Sequence, residues 1–200
     1  MIINKDKFFY LGIFFLIVQT LVFIRNEILN DHILFFYYCD HIALFLSIAF
    51  FIRNIPLIKA LISTGLILQL IYLIDLISYY IFGVEITGTT KYLISYDIFS
   101  MIVTLLMHLG TVFVALFYVY KEENKRISLF YALLYLIFLY TTTIIFTHPS
   151  YDMNCIFNAC GLSISNINFY TKYWIGIAFL LLIIPTHLFQ ELIYKIKSEK

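Results

Sequence analysis

Six transmembrane helices in a single all-α integral membrane domain, residues 1–200, with both termini cytoplasmic, is the architecture this sequence predicts. Of the residues, 62% are hydrophobic and 12% are charged; soluble domains carry about 25% charged residues, so lipid is the main solvent of this chain. Mean hydropathy is +0.94. The apolar residues fall into six runs, and the positive charges gather on one side of them.

The first run, 8 to 24, follows Lys5 and Lys7 and imitates a signal peptide. Arg25-Asn26-Glu27 stands where a small-residue cleavage site would be needed, so the run reads as an uncleaved first span. Further runs at about 33 to 52, 57 to 82, 97 to 120, 127 to 147 and 173 to 190 are each long enough to cross about 30 Å of hydrocarbon at 1.5 Å per residue. The connections from Arg53 to Pro56 and from Lys121 to Arg126 force tight antiparallel hairpins. Those at 83 to 96 and 148 to 172 are longer and carry Gly, Thr, Ser, Asn and Pro.

Six spans place both ends on one side. That side holds ten of the thirteen Lys and Arg, and the other holds Arg25, Lys91 and Lys172, a positive-inside pattern that makes both termini cytoplasmic. Glu27, Asp31, Asp40, Asp75, Glu85, Asp97 and Asp152 fall instead in the outer half or outside. Net charge is +1 and only three residues are proline, which excludes a basic nucleic-acid surface and a Pro-rich linker. The wealth of Ile, Phe, Tyr, Asn and Lys, whose codons are AT-rich, reflects genome composition and says little about function; a bacterial source is expected, hence a multi-pass protein of the bacterial inner membrane. Its expected partners are membrane lipids, with a homo-oligomer as an option and no nucleic acid.

The unusual groups sit high in the membrane. Asp40 is placed about seven residues, or roughly 10 Å, below the outer end of span two, and Asp75 at equal depth on span three. Gln69, Tyr72, Asp75 and Tyr79 share one face of span three at helical spacing, as do Asp97, Ser100, Thr104, His108 and Thr111 on span four. Polar stripes in lipid face protein or water. The expectation is a polar cavity open to the outside, floored near His108, with Cys39, Asp40, His41, Asp75 and His108 as its ionisable, candidate catalytic lining, and Gln69, Tyr72, Asp97 and Thr104 as candidate binding groups. Each has a plainer alternative: the carboxylates as interhelical hydrogen-bonding glue, the histidines as packing groups, Cys39 as a small inert hydrophobe, and His187 beside Pro185 as structural. The loop 147–161 is a candidate lid, with His148, Asp152 and Asn154 on its rim, and its alternative is an ordinary turn carrying a Cys155–Cys160 bridge.

Four pieces in order, "YYCDH" at 37–41, "LIYLIDLIS" at 70–78, "LLMHLGTV" at 105–112 and "DMNCIF" at 152–157, followed by "IPTHLF" at 184–189, resemble a family of bacterial polytopic membrane proteins of unassigned function. That family has an aromatic and a Cys before a polar residue in its second span, and a buried His in its fourth. This chain departs from it at Cys155, where an aromatic is usual, and at Asn158, where Gly is usual. A remoter resemblance is to YwaF-like integral membrane proteins, their eukaryotic relatives that handle lipid acyl groups, and the androgen-induced membrane hydrolases. It implies a nucleophile in an early span and a histidine in a middle one, which here are Cys39 and His108.

Three functions follow from these residues. One is a lipid-directed acyl hydrolase or acyltransferase, with Cys39 as nucleophile, His108 or His41 as base and Asp40 or Asp75 orienting an imidazole. Another is binding or transport of a proton, cation or small solute. The third is a non-catalytic membrane partner. His41, His108 and the two carboxylates offer mixed N/O donors, but no H-x-x-x-H or paired spacing supports a metal, so no metal or cofactor is expected.

Overall fold

The computed structural model describes residues 5–84, 86, 93, 95–157 and 167–198. Glu85, Lys91, Asn158 and Cys160, named above, lie outside this set, as does the side chain of Lys5.

Among the described residues every regular element is helical and there is no strand. Helix α1 spans Lys5–Leu29. Its buried residues Phe8, Leu11, Phe15, Val18, Val22, Arg25 and Asn26 recur every three or four positions, so one stripe continues past the apolar run into the polar end. A 3₁₀ turn at His32–Phe36 leads to helix α2, Tyr38–Phe51.

The expected continuous span 33 to 52 is therefore broken. Tyr37 is extended, with ψ 139°, and separates the two pieces. Asn154 supplies the reason: its Oδ1 accepts the Tyr38 N–H at 2.7 Å and its Nδ2 donates to the Phe36 carbonyl at 2.7 Å, replacing the intrahelical bonds that continuity would need.

Helix α3, Ile55–Phe82, starts at an Asn54 cap whose side chain accepts the Leu57 N–H, has Pro in its first turn, and ends at Gly83 with φ 67°. Helix α4 covers Ile98–Val119 and contains a π-helical turn at Leu106–Gly110. Thr111 Oγ1 donates to the Met107 carbonyl at 2.6 Å, satisfying an acceptor in that widened turn. Helix α5 is Ile127–Phe146. Helix α6 joins Ile167–Ala178 to Ile184–Ser198 through a second π-helical turn, Phe179–Ile183. Pro185 explains it, because its ring cannot accept the regular turn before it and it offers no N–H.

Helix α3 is the hub, touching α2, α4, α5 and α6. In its most apolar window 61% of the residues are buried, against 39% or fewer in the other four long helices, which place more of their surface outward. Gly65 lets α2 approach closely, since a Cβ there would fall onto the Tyr38 hydroxyl, which donates to Leu61 O. Phe15 and Phe50 stack at 5.3 Å where α1 meets α2. Outward-facing side chains include Phe9, Tyr10, Ile17, Phe82, Ile98, Phe117 and Leu180, an apolar coat suited to hydrocarbon and far too extensive for water.

Among the described residues five helices are long and apolar enough to cross a membrane, and α2 is a shorter apolar helix of 14 residues. The chain is a multi-pass membrane protein. Its two ends differ: the termini end carries the α2–α3 and α4–α5 connections, and the loop end carries the other three.

Candidate functional site

At the loop end, the first turn of α2 meets the last turns of α1. Asp40 sits in that first turn rather than two turns deep as expected, because α2 begins only at Tyr38. Asp40 Oδ2 pairs with Arg25 Nη2 at 2.5 Å, and both side chains are 3% exposed. Asn26 Nδ2 donates to the same oxygen at 2.8 Å. Arg25 further donates from Nε and Nη2 to Asn26 Oδ1, at 3.0 and 2.6 Å, and from Nη1 to Thr104 Oγ1 at 3.1 Å. Its weakest acceptor is Met107 Sδ, 3.7 Å from Nη1. Gln19 fastens the same helix start, donating from Nε2 to the Asp40 carbonyl at 2.9 Å and accepting the Leu44 N–H at 3.0 Å.

Arg25 and Asn26 were read from sequence as the solvent end of span one, yet they form the centre of this cluster. The signal that could have found them is their place on the stripe running from Phe8 through Val22.

Cys39, a free thiol of intermediate exposure, donates to Asp40 Oδ1 at 3.6 Å. It packs beside Val22, Val103 and Met107. His108 follows Met107 in the π-helical turn, is buried, and stacks on Tyr72 with ring centroids 3.7 Å apart and planes within 6°. Asp40, Asn26, Thr104 and Met107 are thus gathered on Arg25, with Cys39 bonded to Asp40 and packed beside Met107, and His108 next in the chain after Met107 with Tyr72 stacked on its ring.

His41 is not. Its Nδ1 lies 3.1 Å from the Phe35 carbonyl, its ring packs edge-on against Phe45, Tyr135 and Phe138, and its buried Nε2 has no partner among the described residues. One position on a helix turns a side chain by 100°, so Asp40 faces α1 and His41 faces α5.

Asp75 is fully buried on α3, and its Oδ1 accepts the Ile86 N–H at 2.7 Å, drawing the α3–α4 connection back over the helix. Gln69 is buried with Oε1 unpartnered among the described residues. Asp97 is an exposed helix cap: it accepts the Ser100 N–H at 3.0 Å and hydroxyl at 2.6 Å, and those bonds hold its carboxyl below the usual range. Burial raises the Tyr96 phenol beside it.

In the α5–α6 connection, His148 is exposed and bonded to Ser150 at 2.8 Å, and Asp152 Oδ1 accepts the Phe157 N–H at 2.9 Å. Asn154, the third rim candidate, is instead the clamp on α2 and also donates to Thr143 Oγ1 at 3.0 Å. Asp152, Asn154 and Cys155 all have positive φ. Cys155 is disulfide-bonded, and Tyr170 donates to its carbonyl at 2.7 Å.

A second polar cluster, which the sequence reading did not assemble, occupies the termini end. Asn124 Nδ2 and His187 Nδ1 lie 2.9 Å apart, Ser128 Oγ donates to Asn124 Oδ1 at 2.9 Å, and His187 Nε2 lies 3.3 Å from Glu191. Gln190 Nε2 donates to the Lys59 carbonyl at 3.2 Å and to Ser63 Oγ at 2.8 Å. His187 is thus a packed, hydrogen-bonded group. A cleft of about 580 Å³ opens here between the α2–α3 and α4–α5 connections.

Among the described residues, no group of three His, Cys, Asp or Glu is placed to hold a metal ion. No family model, curated protein or solved structure matches the chain.

Proposed function

We propose that this chain is a six-span enzyme of a bacterial inner membrane, both termini cytoplasmic, that acts on a lipid acyl ester with Cys39 as nucleophile and His108 as general base. Support for the sixth crossing comes from length. The 14 residues of α2 rise about 21 Å and the five of the 3₁₀ turn about 10 Å, together close to the thickness of the hydrocarbon.

The observation that carries the chemistry is a free thiol, Cys39, packed beside Met107, whose chain neighbour His108 is a buried imidazole in the same π-helical turn, a distortion common at functional sites. In the reaction, Cys39 Sγ bonds to the ester carbonyl carbon while His108 takes the thiol proton. The ester C–O bond then breaks and His108 returns the proton to the departing alkoxide; water or a second hydroxyl next bonds to the acyl carbon as the C–S bond breaks, its proton passing through His108 back to Cys39 Sγ. The weak Nη1–Met107 contact is the one an oxyanion would displace. Asp40 is engaged by Arg25 and does not orient an imidazole, and His41 faces another helix, so the roles narrow to Cys39 and His108.

The test uses proteoliposomes with a labelled acyl lipid in the leaflet facing the loop end. The expected result is a hydroxylamine-labile acyl group on Cys39, absent in Cys39→Ala and formed at least about 100-fold more slowly in His108→Ala. Absence of that adduct in the wild type, with an unchanged lipid profile in a strain lacking the protein, ends the proposal.

One observation favours a second reading, binding or transport of a small polar solute: the unpartnered Gln69 Oε1 lies one helical turn from Tyr72 and the His108 stack. Solute flux into liposomes that vanishes with Asp75→Asn decides for it.

A further inference from the structure

Lys59 lies in the second turn of α3, one turn deeper than Ile55 and Pro56, which line the cleft at the termini end together with Arg53, Asn54, Glu122 and Lys125. It is fully buried, and among the described residues its Nζ has no hydrogen-bond partner. An ammonium without an acceptor is among the most unfavourable groups a protein interior can hold. Two further buried atoms nearby are in the same condition: Gln190 Oε1 and Thr186 Oγ1, on one face of α6. Gln190 is fixed against the Lys59 carbonyl by its Nε2. Lys59 follows Ile55 by four residues and Pro56 by three, on the face of α3 that lines the cleft, and the Gln190 bond sets α6 against the same turn.

Charge and hydrogen-bonding capacity define what would satisfy this arrangement. On the cleft wall Arg53 and Lys125 balance Glu122 and Glu123, leaving the Lys59 ammonium as the surplus charge. A monoanion fits. Lys59 offers donors only, whereas Gln190 Oε1 can only accept and Thr186 Oγ1 can accept, so a ligand presenting both an anionic oxygen and a hydroxyl or ammonium satisfies all three. A bridging water satisfies the hydrogen bonds but leaves the charge.

We propose that Lys59, Gln190 and Thr186 form a site for a singly charged phosphate group, entered through the cleft between the α2–α3 and α4–α5 connections. Phosphate oxygen accepts from Lys59, and a hydroxyl or ammonium of the same ligand donates to Gln190 Oε1 and Thr186 Oγ1. A lipid headgroup and free phosphate share this chemistry. The site is separate from the Cys39 cluster and stands whether or not that cluster is catalytic.

The test is thermal unfolding of the purified full-length protein in detergent at constant ionic strength, with inorganic phosphate, phosphatidylglycerol or chloride added. At saturation the expected rise in midpoint is about 5 °C. A rise with inorganic phosphate identifies free phosphate, and a rise with phosphatidylglycerol alone identifies a headgroup. Lys59→Met, which keeps the length and apolar stem, is expected to unfold no earlier than wild type and to lose the rise, while Lys59→Arg keeps part of it. No rise from either ligand, an equal rise from chloride, or an equal rise in Lys59→Met overturns the proposal. Should Lys59→Met fail to fold, loss of the rise in Gln190→Leu supports the site, and its full retention there overturns it.

Discussion

Two buried cations occupy opposite ends of this bundle, and their surroundings differ. Arg25 has Asp40 against it, with Asn26, Thr104 and Met107 receiving the rest of its donors. Lys59 is at least as buried and has no acceptor among the described residues. The first arrangement joins α1, α2 and α4 without needing any other molecule. The second is stable in its neighbours' hydrogen bonds but leaves one charge uncompensated. Burial of charge therefore has two meanings in this chain: a completed tie at one end and an open valence at the other.

The same replacement at both positions separates them most widely. Arg25→Met strands the Asp40 carboxylate in an apolar setting and is expected to lower stability by about 3–5 kcal/mol, read as the unfolding free energy in detergent. The double variant Arg25→Met/Asp40→Leu should recover most of that loss, because no unpaired charge remains. Lys59→Met removes a charge that has no hydrogen-bond acceptor among the described residues and should leave stability unchanged or raise it by about 1 kcal/mol. A loss at Lys59 as large as that at Arg25 would show that the two sites are of one kind.

A smaller effect tests how far the completed tie depends on the α5–α6 connection. Asn154 binds both sides of the break between the 3₁₀ turn and α2, through Phe36 O and the Tyr38 N–H. Asn154→Ala should cost about 1–2 kcal/mol, as loss of a helix cap does. It should also raise hydrogen exchange in the first turn of α2, where Cys39 and Asp40 lie. Unchanged exchange there would mean that Arg25 and Gln19 alone fix that turn.

These contrasts bear on what could be read from the chain. Helices were legible because hydrocarbon demands long apolar runs, and the polar stripe on α4 correctly brought Thr104 and His108 to one interior face. Arg25 was missed because the apolar run stops at Ile24, whereas the buried face continues through it at unchanged spacing. The break in α2 was beyond local reading, since Asn154, which causes it, is 116 residues from Tyr38. His41 was placed beside Asp40 by adjacency, though neighbours on a helix point 100° apart. The termini-end cluster draws on α3, α5, α6 and the α4–α5 connection, and no single stripe contains it. Pro185 marked a local irregularity in α6, but its form, a π-helical turn, depends on packing.

The smallest expected effect concerns the exposed carboxylate of Asp97, which lies outside both clusters. Its carboxyl is held below the ordinary range by the Ser100 hydroxyl and N–H, so the carboxylate is favoured in the folded chain. A depressed carboxyl stabilises the fold at pH values above its unfolded pKa, about 4, and that contribution is lost as pH falls through the lower folded value. Acid should therefore loosen the first turn of α4 as pH falls below the ordinary carboxylate range. Hydrogen exchange at the Ser100 amide, followed from pH 6 to pH 3 and corrected for intrinsic rate, should rise in wild type and be high and flat in Asp97→Ala. If both proteins respond alike, the cap contributes nothing, and this end of α4 is held by its packing and by the bond from Arg25 to Thr104.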